Sequence, residues 1–496
     1  MPAITPKPIG KPIVCKCFIF LGLLFAGFNA QSQQAAKIAA VDNFIRGKIA
    51  NSNLSGLSIA IVHYDTVLMT RGYGRDANDK PITANSLFPI ASLSKAFTAA
   101  AALQLVSAGK VDLDAPVVKY IPSFLSAAAA GKSVTIRQLL NQTSGMGDVG
   151  YPEFELDRQP RNLDDVVNNL RMVQLVSPPG KAFHYHNPNY QVLAKVVEAV
   201  GRERFGDYLQ KHILYPLHMT GTSHADNVQQ FFKAPLNLPK GNIYVLGRPV
   251  ALNEPDWFVA GDAGMVSNAK DMAKWLADQM KTREGESSAI LPQKYLSVMQ
   301  SQPAGNQFTY GMGWHVNRST HMLYHSGVMW TYSSQQIILT DKGYGIVMFF
   351  NGGENPLVDY HSVLMDVQDI LDGKTTDAGS IPPGLYSGAI IILLAVILIA
   401  GVRRMLRVKY WYINYNKRPG WKTCLYLLLR LSPLVLFLLL PYLITLLSGR
   451  VLSYERIALM FMDVMIVLCL AALLNLLVVL LRIWYIFRRK YLVRAL

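Results

Sequence analysis

The sequence predicts an α/β domain, built from a sheet with flanking helices and a separate helical lobe, followed by three transmembrane helices. Strand-like runs occur at both ends of a central region, and the long stretch between them is mostly helical in pattern. Three apolar segments near the end of the chain predict the membrane helices. The strand-like runs are residues 58–63, 66–72, 322–326, 334–339 and 344–350.

Helical patterns enclose the strand-like runs, one at residues 34–49 and the other at 356–371. Strands at both ends of a region, with a helical insert between them, predict that the two ends share one sheet and that the insert forms a second lobe. A cleft between two such lobes is where a ligand site is expected.

Each apolar segment is close to the ~20 residues that a bilayer-spanning helix needs. The stretch between the first two segments carries seven Lys/Arg and no acid, and residues 482–496 carry five more. Because basic loops stay on the cytoplasmic side, we predict a cytoplasmic C-terminus and an external loop at residues 448–456 within a membrane domain at 384–496. The three segments are about residues 386–402, 424–447 and 457–481.

The N-terminus has the pattern of a secretory signal peptide, predicted at residues 1–32. Three lysines precede an apolar stretch at residues 18–28, and a small-residue exit follows at Ala30-Gln31-Ser32. An uncleaved anchor is the alternative, and either form would export residues 33–383. The predicted location is therefore the cell membrane, multi-pass, with residues 33–383 on the extracytoplasmic (periplasmic) side.

Two ionisable residues, Arg430 and Asp463, lie inside the apolar segments. Each is six residues from the start of its own segment, which at 1.5 Å per residue places them roughly 9 Å deep from opposite faces. We therefore predict that the two do not pair. Arg430 would extend toward the cytoplasm, and Asp463 would reach the outer interface or the base of the exported domain.

The formal net charge of +16 lies around the apolar segments rather than on the central region. Residues 385–496 contribute a net +13 and the first 32 residues +3, so the centre is neutral. A nucleic-acid-binding protein carries its basic charge on the folded domain, so this distribution argues against a nucleic-acid partner and for a membrane. The centre also holds no cysteine, which excludes a disulfide, a cysteine zinc site and a thiol nucleophile there.

A serine and a lysine three residues apart, Ser92 and Lys95, open a predicted helix that runs to about Val106. The spacing puts both side chains on one helix face. A serine at a helix start is surrounded by free backbone N–H groups and the positive end of the helix dipole. A neutral Lys95 could take the serine proton, so the pair is a candidate nucleophile and base.

The pattern S-x-x-K is weak by itself, and it recurs at residues 267–270. What distinguishes Ser92 is the order of the motifs after it, which are Y-H-N at 185–187 and then H-S-G at 325–327. With these three motifs the chain resembles the class C β-lactamase and D-alanyl-D-alanine carboxypeptidase family, whose elements are S-x-x-K, Y-x-N and K/H-x-G in that order.

The resemblance covers roughly residues 34–372 and implies a β-lactamase/transpeptidase-like fold, in which an antiparallel sheet flanked by helices is joined to an all-helical lobe. It also implies that Ser92 attacks an acyl carbonyl while Lys95 and Tyr185 shuttle protons. The backbone N–H groups of Ser92 and Val328 would form the oxyanion hole. The implied substrate-binding residues are Asn187, His325, Ser326 and Gly327.

Neither a metal nor a cofactor is expected. His184 and His186 are interpreted as loop histidines, because no further ligand pattern supports a zinc site. The chain departs from the usual family pattern at Asn141-Gln142, where relatives often have Thr-His, and at Asp262, where a glycine pair is common. These departures leave the core chemistry intact and bear on substrate preference.

In this family, histidine instead of lysine at position 325 is more typical of peptidases, esterases and related hydrolases than of dedicated β-lactamases. The expected activity is therefore acyl-enzyme hydrolysis outside the membrane, above all of a peptide that contains a D-amino acid or of a cell-wall fragment. The first alternative is β-lactamase or carboxylesterase action. The second is a sensor that binds penicillin or peptidoglycan without turnover.

The predicted architecture adds a second resemblance. An exported domain of this family followed by three membrane helices looks similar to the membrane-bound colibactin-maturing D-asparaginyl peptidases, which remove an N-acylated D-asparagine leader in the periplasm. The oligomeric state is left open.

Overall fold

The computed structural model describes residues 12–124, 134–282, 286–303, 308–376, 379, 381–415 and 417–494, of which 12–30, 172 and 489–494 are described by their backbone alone. The predicted signal peptide falls partly outside this description, because residues 1–11 are not included. Residues 12–32 form the first part of a long helix that continues into the α/β domain.

Within the described ranges, the strands form one large sheet and two small ones. In chain order they are β1 Gly56–His63, β2 Thr66–Gly74, β3 Phe88–Pro89, β4 Ser223–His224, β5 Gly241–Val245, β6 Arg248–Leu252, β7 Met265–Ser267, β8 His315–Asn317, β9 Met322–Val328, β10 Ser333–Leu339 and β11 Tyr344–Phe350. The large sheet has the order β2-β1-β11-β10-β9-β8, with every neighbouring pair antiparallel. Strands from the two ends of the domain therefore share one sheet, which confirms the fold predicted from their positions.

The helices divide into those of the α/β domain, α1 to α9, and those of a C-terminal bundle, α10 to α14. In chain order they are α1 Pro12–Ser52, α2 Ser94–Ser107, α3 Ile136–Leu140, α4 Leu163–Asn169, α5 Pro188–Gly201, α6 Phe205–Leu209, α7 Ala269–Gln279, α8 Gln293–Met299, α9 Tyr360–Leu371, α10 Pro383–Leu406, α11 Val408–Tyr415, α12 Gly420–Arg430, α13 Ser432–Ser448 and α14 Tyr454–Arg494. Helices α2 to α6 pack around one another and form the predicted helical lobe.

Helices cover the large sheet on both faces, so its central strands are apolar on both sides. On β1, Leu57, Ile59 and Ile61 belong to the core shared with α1 and α9. The alternate residues Ala60 and Val62 belong to the core shared with α2 and α7. This alternation follows from the two-residue period of a strand and places the sheet between two helical layers.

Helix α2, which directly follows Ser92, is buried along almost its whole length. Five of its residues are alanine, and their small side chains let α5 approach closely. Phe97 stacks on Trp275 with ring centroids 3.8 Å apart. A helix that is apolar all round lies inside a core, so the first turn of α2 is a rigid platform for the site.

Among the described residues, two helices are long and apolar enough to cross a membrane, α10 and the part of α14 up to Arg488. They match the predicted segments 386–402 and 457–481. The predicted continuous helix at 424–447 is wrong, because the chain there forms α12 and α13, which meet at Leu431 with a bend of 46°. Pro433 lies in the first turn of α13 and has no backbone N–H to continue α12. The number of spans rises to three if the bent pair α12–α13 is counted as one span.

The C-terminal bundle docks on the α/β domain through Asp463 of α14. Its carboxylate accepts hydrogen bonds from the backbone N–H groups of Leu246 at 2.5 Å and Gly247 at 3.3 Å, in the turn between β5 and β6. The hydroxyl of Tyr386 on α10 donates to the same carboxylate at 2.9 Å. The prediction that Asp463 reaches the base of the α/β domain is therefore confirmed.

Arg430 has different partners at the other end of the bundle. Its guanidinium donates to Oδ1 of Asn475 at 3.3 Å and to the hydroxyl of Tyr426. Neither partner is Asp463, as predicted from their depths.

Candidate active site

Ser92 lies in a short 3-10 turn, Ala91–Leu93, that leads directly into α2. Ala91 has φ 48°, and a left-handed conformation costs a residue with a Cβ about 1–3 kcal/mol. The turn is held from two sides, because the N–H of Ile90 donates to the carbonyl of Met265 at 2.9 Å and the hydroxyl of Ser334 donates to the carbonyl of Ile90 at 2.8 Å. These contacts present Ser92 at the start of the buried helix.

Lys95 is fully buried one turn further along α2, with three acceptors around its Nζ. It donates to Oγ of Ser92 at 3.0 Å, to Oδ1 of Asn187 at 2.7 Å and to the carbonyl oxygen of Asp262 at 3.1 Å. The first two sequence motifs therefore meet at this nitrogen.

Tyr185 lies in the loop that precedes α5 and is half-buried. The Nζ of Lys95 is 4.9 Å from the centroid of its ring. The edge of Tyr310 packs against the same ring, with centroids 6.0 Å apart. Tyr185 of the second motif therefore lies beside Lys95 of the first.

The third motif lies on the part of β9 nearest to Ser92. Strand β8 pairs with Met322–Tyr324, so residues 325–328 extend beyond its end. A Cβ on Gly327 would lie 2.5 Å from the carbonyl oxygen of Ile90 and 2.2 Å from Oγ of Ser334. Glycine is required here because β9 packs so closely against the turn that carries Ser92 that a Cβ has no room. Val328, the predicted second oxyanion-hole residue, ends the strand and is 44% exposed.

His325 is buried, and its two ring nitrogens have different partners. Nδ1 is 2.8 Å from the carbonyl oxygen of Ser326, so it carries the hydrogen, and Nε2 then accepts from the hydroxyl of Tyr310 at 3.2 Å. Burial lowers the pKa of His325 well below its ordinary value, and the charges of His315 and Lys95 lower it further. The third motif thus offers a neutral imidazole, where the usual family motif has a lysine.

The side chain of Asp262 is fully buried beside Lys95. Its Oδ1 accepts from the side-chain amide of Gln191 at 3.1 Å. Burial raises the pKa of Asp262 well above its ordinary value, and the charge of Lys95 opposes this effect. The substitution noted in the sequence therefore places a carboxyl group inside the site.

The turn between β9 and β10 is held by Glu254, which is also buried. Its carboxylate accepts from the N–H of Trp330 at 3.1 Å, and from the N–H and hydroxyl of Thr331 at 2.8 and 2.7 Å. Burial raises the pKa of Glu254 to about 7. These hydrogen bonds fix the turn that follows Val328.

Sequence analysis missed a buried acidic pair, Asp148 and Glu153, and the cation that contacts it, Arg450. The guanidinium of Arg450 is 3.0 Å from Oε1 of Glu153 and 3.7 Å from Oδ1 of Asp148. Among the described residues, these two acids and His186 form the one group whose ligand atoms could share a cation, within 4.8 Å of one another. Arg450 already supplies positive charge there. The sequence signal was one of the two arginines in the predicted external loop.

A cavity of about 560 Å³ opens beside Tyr185. The C-terminal bundle forms part of its wall. The lining residues include Val149, Val176, Phe183, Tyr185 and, from the bundle, Gly449 and Arg450.

The second S-x-x-K sequence does not form a comparable site. Ser267 is buried at the end of β7, where its hydroxyl lies 2.7 Å from that of Thr222. Lys270 is exposed. His184 and His186 both lie in the loop before α5, and the Nε2 of His186 donates to the carbonyl oxygen of Tyr151 at 3.1 Å.

The fold and these motifs define a serine β-lactamase/transpeptidase-like protein. The Beta-lactamase family model matches residues 41–368, and the chain belongs to this family.

Among similar proteins, "Protein flp" of Staphylococcus aureus (strain MRSA252) is 29% identical over 316 residues, which are 63% of this chain and 62% of that protein. The unguisins hydrolase ungD' of Aspergillus campestris is 26% identical over 322 residues, 60% of this chain and 58% of that protein. The match therefore spans less than two thirds of each relative.

Among solved structures, the octameric penicillin-binding protein homologue from Pyrococcus abyssi superimposes with a TM-score of 0.58 at 25% identity, over 72% of this chain and 81% of that one. These comparisons confirm the predicted fold of the α/β domain, which is called the hydrolase domain below.

Proposed function

We propose that this chain is a membrane-anchored serine hydrolase that works through an acyl-enzyme on Ser92, and that its substrates are N-acylated peptides containing a D-amino acid or cell-wall-type peptides. The observation that carries the proposal is the contact at 3.0 Å between Nζ of Lys95 and Oγ of Ser92, in a buried site where Nζ also bonds Asn187. A serine becomes a useful nucleophile when a proton-accepting group lies within hydrogen-bond reach.

In the proposed reaction, Oγ of Ser92 attacks the carbonyl carbon of the substrate and its proton passes to the Lys95 and Tyr185 pair. The backbone N–H groups of Ser92 and Val328 would bind the tetrahedral oxyanion. The pair then returns the proton to the leaving amine or alcohol as the carbonyl–leaving-group bond breaks. Water attacks the ester on Ser92 by the same route in reverse, which releases the acid and restores the serine.

The neutral state of His325 supports a peptide or ester substrate over a penicillin. A penicillin carries a carboxylate close to its reactive amide, and a cation stabilises such a group through charge-assisted hydrogen bonds. His325 offers no charge, and its ring is occupied by Tyr310 and the carbonyl of Ser326. Lactam hydrolysis is therefore the weaker activity in this proposal.

The C-terminal bundle supports the proposed anchoring. We propose three spans, with the bent pair α12–α13 crossing as one unit, the hydrolase domain outside the cytoplasm and the C-terminus inside. The basic stretches at residues 403–422 and 482–496 support this orientation. The proposed architecture resembles that of the colibactin-maturing peptidases named above, and this resemblance favours an N-acylated D-amino-acid substrate.

The test uses the full-length protein in detergent, with Ser92→Ala as the matched control. Each protein is mixed with a fluorescent penicillin, a short-chain ester and an N-acyl-D-asparaginyl peptide, and intact mass is followed over time. We expect a serine-dependent adduct with each probe and the fastest clearance with the peptide. A penicillin adduct that clears fastest would identify a β-lactamase, and an adduct that never clears would identify a sensor. Absence of any adduct and turnover would refute the proposal.

A further inference from the structure

The loop that joins α13 to α14 reaches from the C-terminal bundle into the hydrolase domain. Gly449 ends α13 with φ 70°, which turns the chain toward the domain. The N–H of Val451 donates to Oδ2 of Asp148 at 2.7 Å, and the N–H of Ser453 donates to Oε1 of Glu155 at 2.7 Å. The loop is thus hydrogen-bonded to one segment of the helical lobe on both sides of Leu452.

Arg450 of this loop contacts two buried acids of the helical lobe. Its guanidinium contacts Asp148 and Glu153, whose side chains are only 1% and 6% exposed. The same guanidinium lies 5.2 Å from the ring centroid of Phe154. Buried carboxylates are costly unless a cation and hydrogen bonds compensate them. Arg450 is the cation in ion-pair contact with this acidic pair.

The acidic pair is connected to the proposed catalytic residues through His186. Asp148, Glu153 and His186 have ligand atoms within 4.8 Å of one another. His186 lies between Tyr185 and Asn187 in the chain, and its Nε2 donates to the carbonyl oxygen of Tyr151 in the acidic segment. A shift of residues 148–153 would therefore move the loop that carries Tyr185 and Asn187, both of which contact Lys95.

Electrostatics gives a second connection between the loop and the site. Burial raises the pKa of Glu153, and the charges that oppose this are those of Arg450 and then Lys95. Glu153 therefore interacts both with Arg450 from the bundle and with Lys95 beside Ser92. Arg450 and Tyr185 also line the same cavity.

We propose that Arg450 is a positioning residue of the active site, so that the site is complete only when the loop of the C-terminal bundle is docked. Its guanidinium compensates Asp148 and Glu153, which keep the segment around His186 in place and with it Tyr185 and Asn187. The inference rests on the proposed acyl-enzyme function. It assigns the bundle a part in catalysis in addition to anchoring.

The test compares Arg450→Gln with Asp463→Asn in the full-length protein in detergent. Asp463 makes a polar docking contact of the bundle elsewhere, against the turn at Leu246 and Gly247, and has no role in the proposed chemistry. Acylation by the short-chain ester and the melting temperature are measured for both variants. Since a misplacement near 1 Å can cost about 10²-fold in rate, we expect Arg450→Gln to lower kcat about 10²-fold with little change in KM.

Asp463→Asn is expected to lower the melting temperature and to leave kcat within about threefold of the wild-type value. A double variant, Arg450→Met with Glu153→Gln, removes the cation together with one of its acids. It should regain at least about tenfold in kcat, because the uncompensated charge is reduced. Recovery of kcat in the double variant would show that Arg450 acts by compensating the acids, because loss of the Arg450 contact alone would not be reversed.

Two results would overturn the inference. The first is an Arg450→Gln variant with near wild-type kcat and a melting temperature lowered as in Asp463→Asn, which would make Arg450 an anchor alone. The second is a double variant no faster than the single one. Failure of the proposed function itself would be recognised separately, because the wild-type protein would then give no adduct on Ser92.

Discussion

Replacing Gly327 with alanine should separate catalysis from stability. The new Cβ would lie 2.2 Å from Oγ of Ser334, whose side chain can rotate away, and 2.5 Å from the carbonyl oxygen of Ile90, which belongs to the turn that carries Ser92. Ordinary contact begins at 3.4 Å, so β9 and this turn must separate by roughly 0.9 Å. A displacement of that size in a nucleophile costs about 10²-fold in rate. Overpacking of this kind costs about 1–3 kcal/mol of stability.

The assay is the rate of adduct formation on Ser92 with the short-chain ester, measured beside the melting temperature. Gly345→Ala is the matched control, because Gly345 lies on β11, two strands away from β9, and its Cβ would lie 2.8 Å from Cγ2 of Val62 on β1. We expect both variants to lose stability and only Gly327→Ala to lose acylation. The reasoning is refuted if Gly327→Ala acylates within about threefold of wild type, or if Gly345→Ala is equally slow.

Three other substitutions test the site. Lys95→Met removes the side chain that contacts Oγ of Ser92 and should slow adduct formation by about 10²–10⁴-fold, since a positioned group for proton transfer contributes that much. The pKa of Glu254 is raised to about 7, so the folded protein holds a proton that the unfolded chain releases. The free energy of unfolding should therefore fall as pH rises from 5 to 7, by about 3 kcal/mol at most, and Glu254→Gln should remove this part of the dependence of the melting temperature on pH. Tyr310→Phe leaves the buried Nε2 of His325 without its donor and should cost about 1–3 kcal/mol, seen as a melting temperature several degrees lower.

Each of these expectations has an outcome that contradicts it. Adduct formation at the wild-type rate in Lys95→Met would show that this lysine takes no part in the proton transfer. An unchanged dependence on pH in Glu254→Gln would place the titration elsewhere. A melting temperature unaffected by Tyr310→Phe would mean that His325 finds another partner or changes its tautomer.

The parts of the fold that could be predicted from the sequence are those that depend on local patterns. Strands β1 and β11 are neighbours in the large sheet. Each is an apolar run that its own composition identifies as a strand, without knowledge of the strand it pairs with. The spacing of Ser92 and Lys95 places both on one helical turn because of helix geometry alone. The order of the three motifs then favours Ser92 over Ser267 as the nucleophile.

The parts that could not be predicted depend on contacts between distant segments. Arg450 contacts acids about three hundred positions earlier in the chain, and nothing in its own neighbourhood indicates them. The small basic charge of its loop indicates only that the loop lies outside the membrane. The bend at Leu431 is a different case, because Pro433 was visible in the sequence, but the continuous apolar composition of residues 424–447 outweighed it.

The two polar attachments of the C-terminal bundle have a geometrical consequence. A domain tied to its anchor by a single flexible tether can swing and roll freely. Here Asp463 is hydrogen-bonded to the turn at Leu246 and Gly247. The loop at Arg450 is ion-paired with the helical lobe. One attachment alone would act as a pivot, and the second removes that freedom. The cavity beside Tyr185 therefore keeps one orientation relative to the bundle that forms part of its wall.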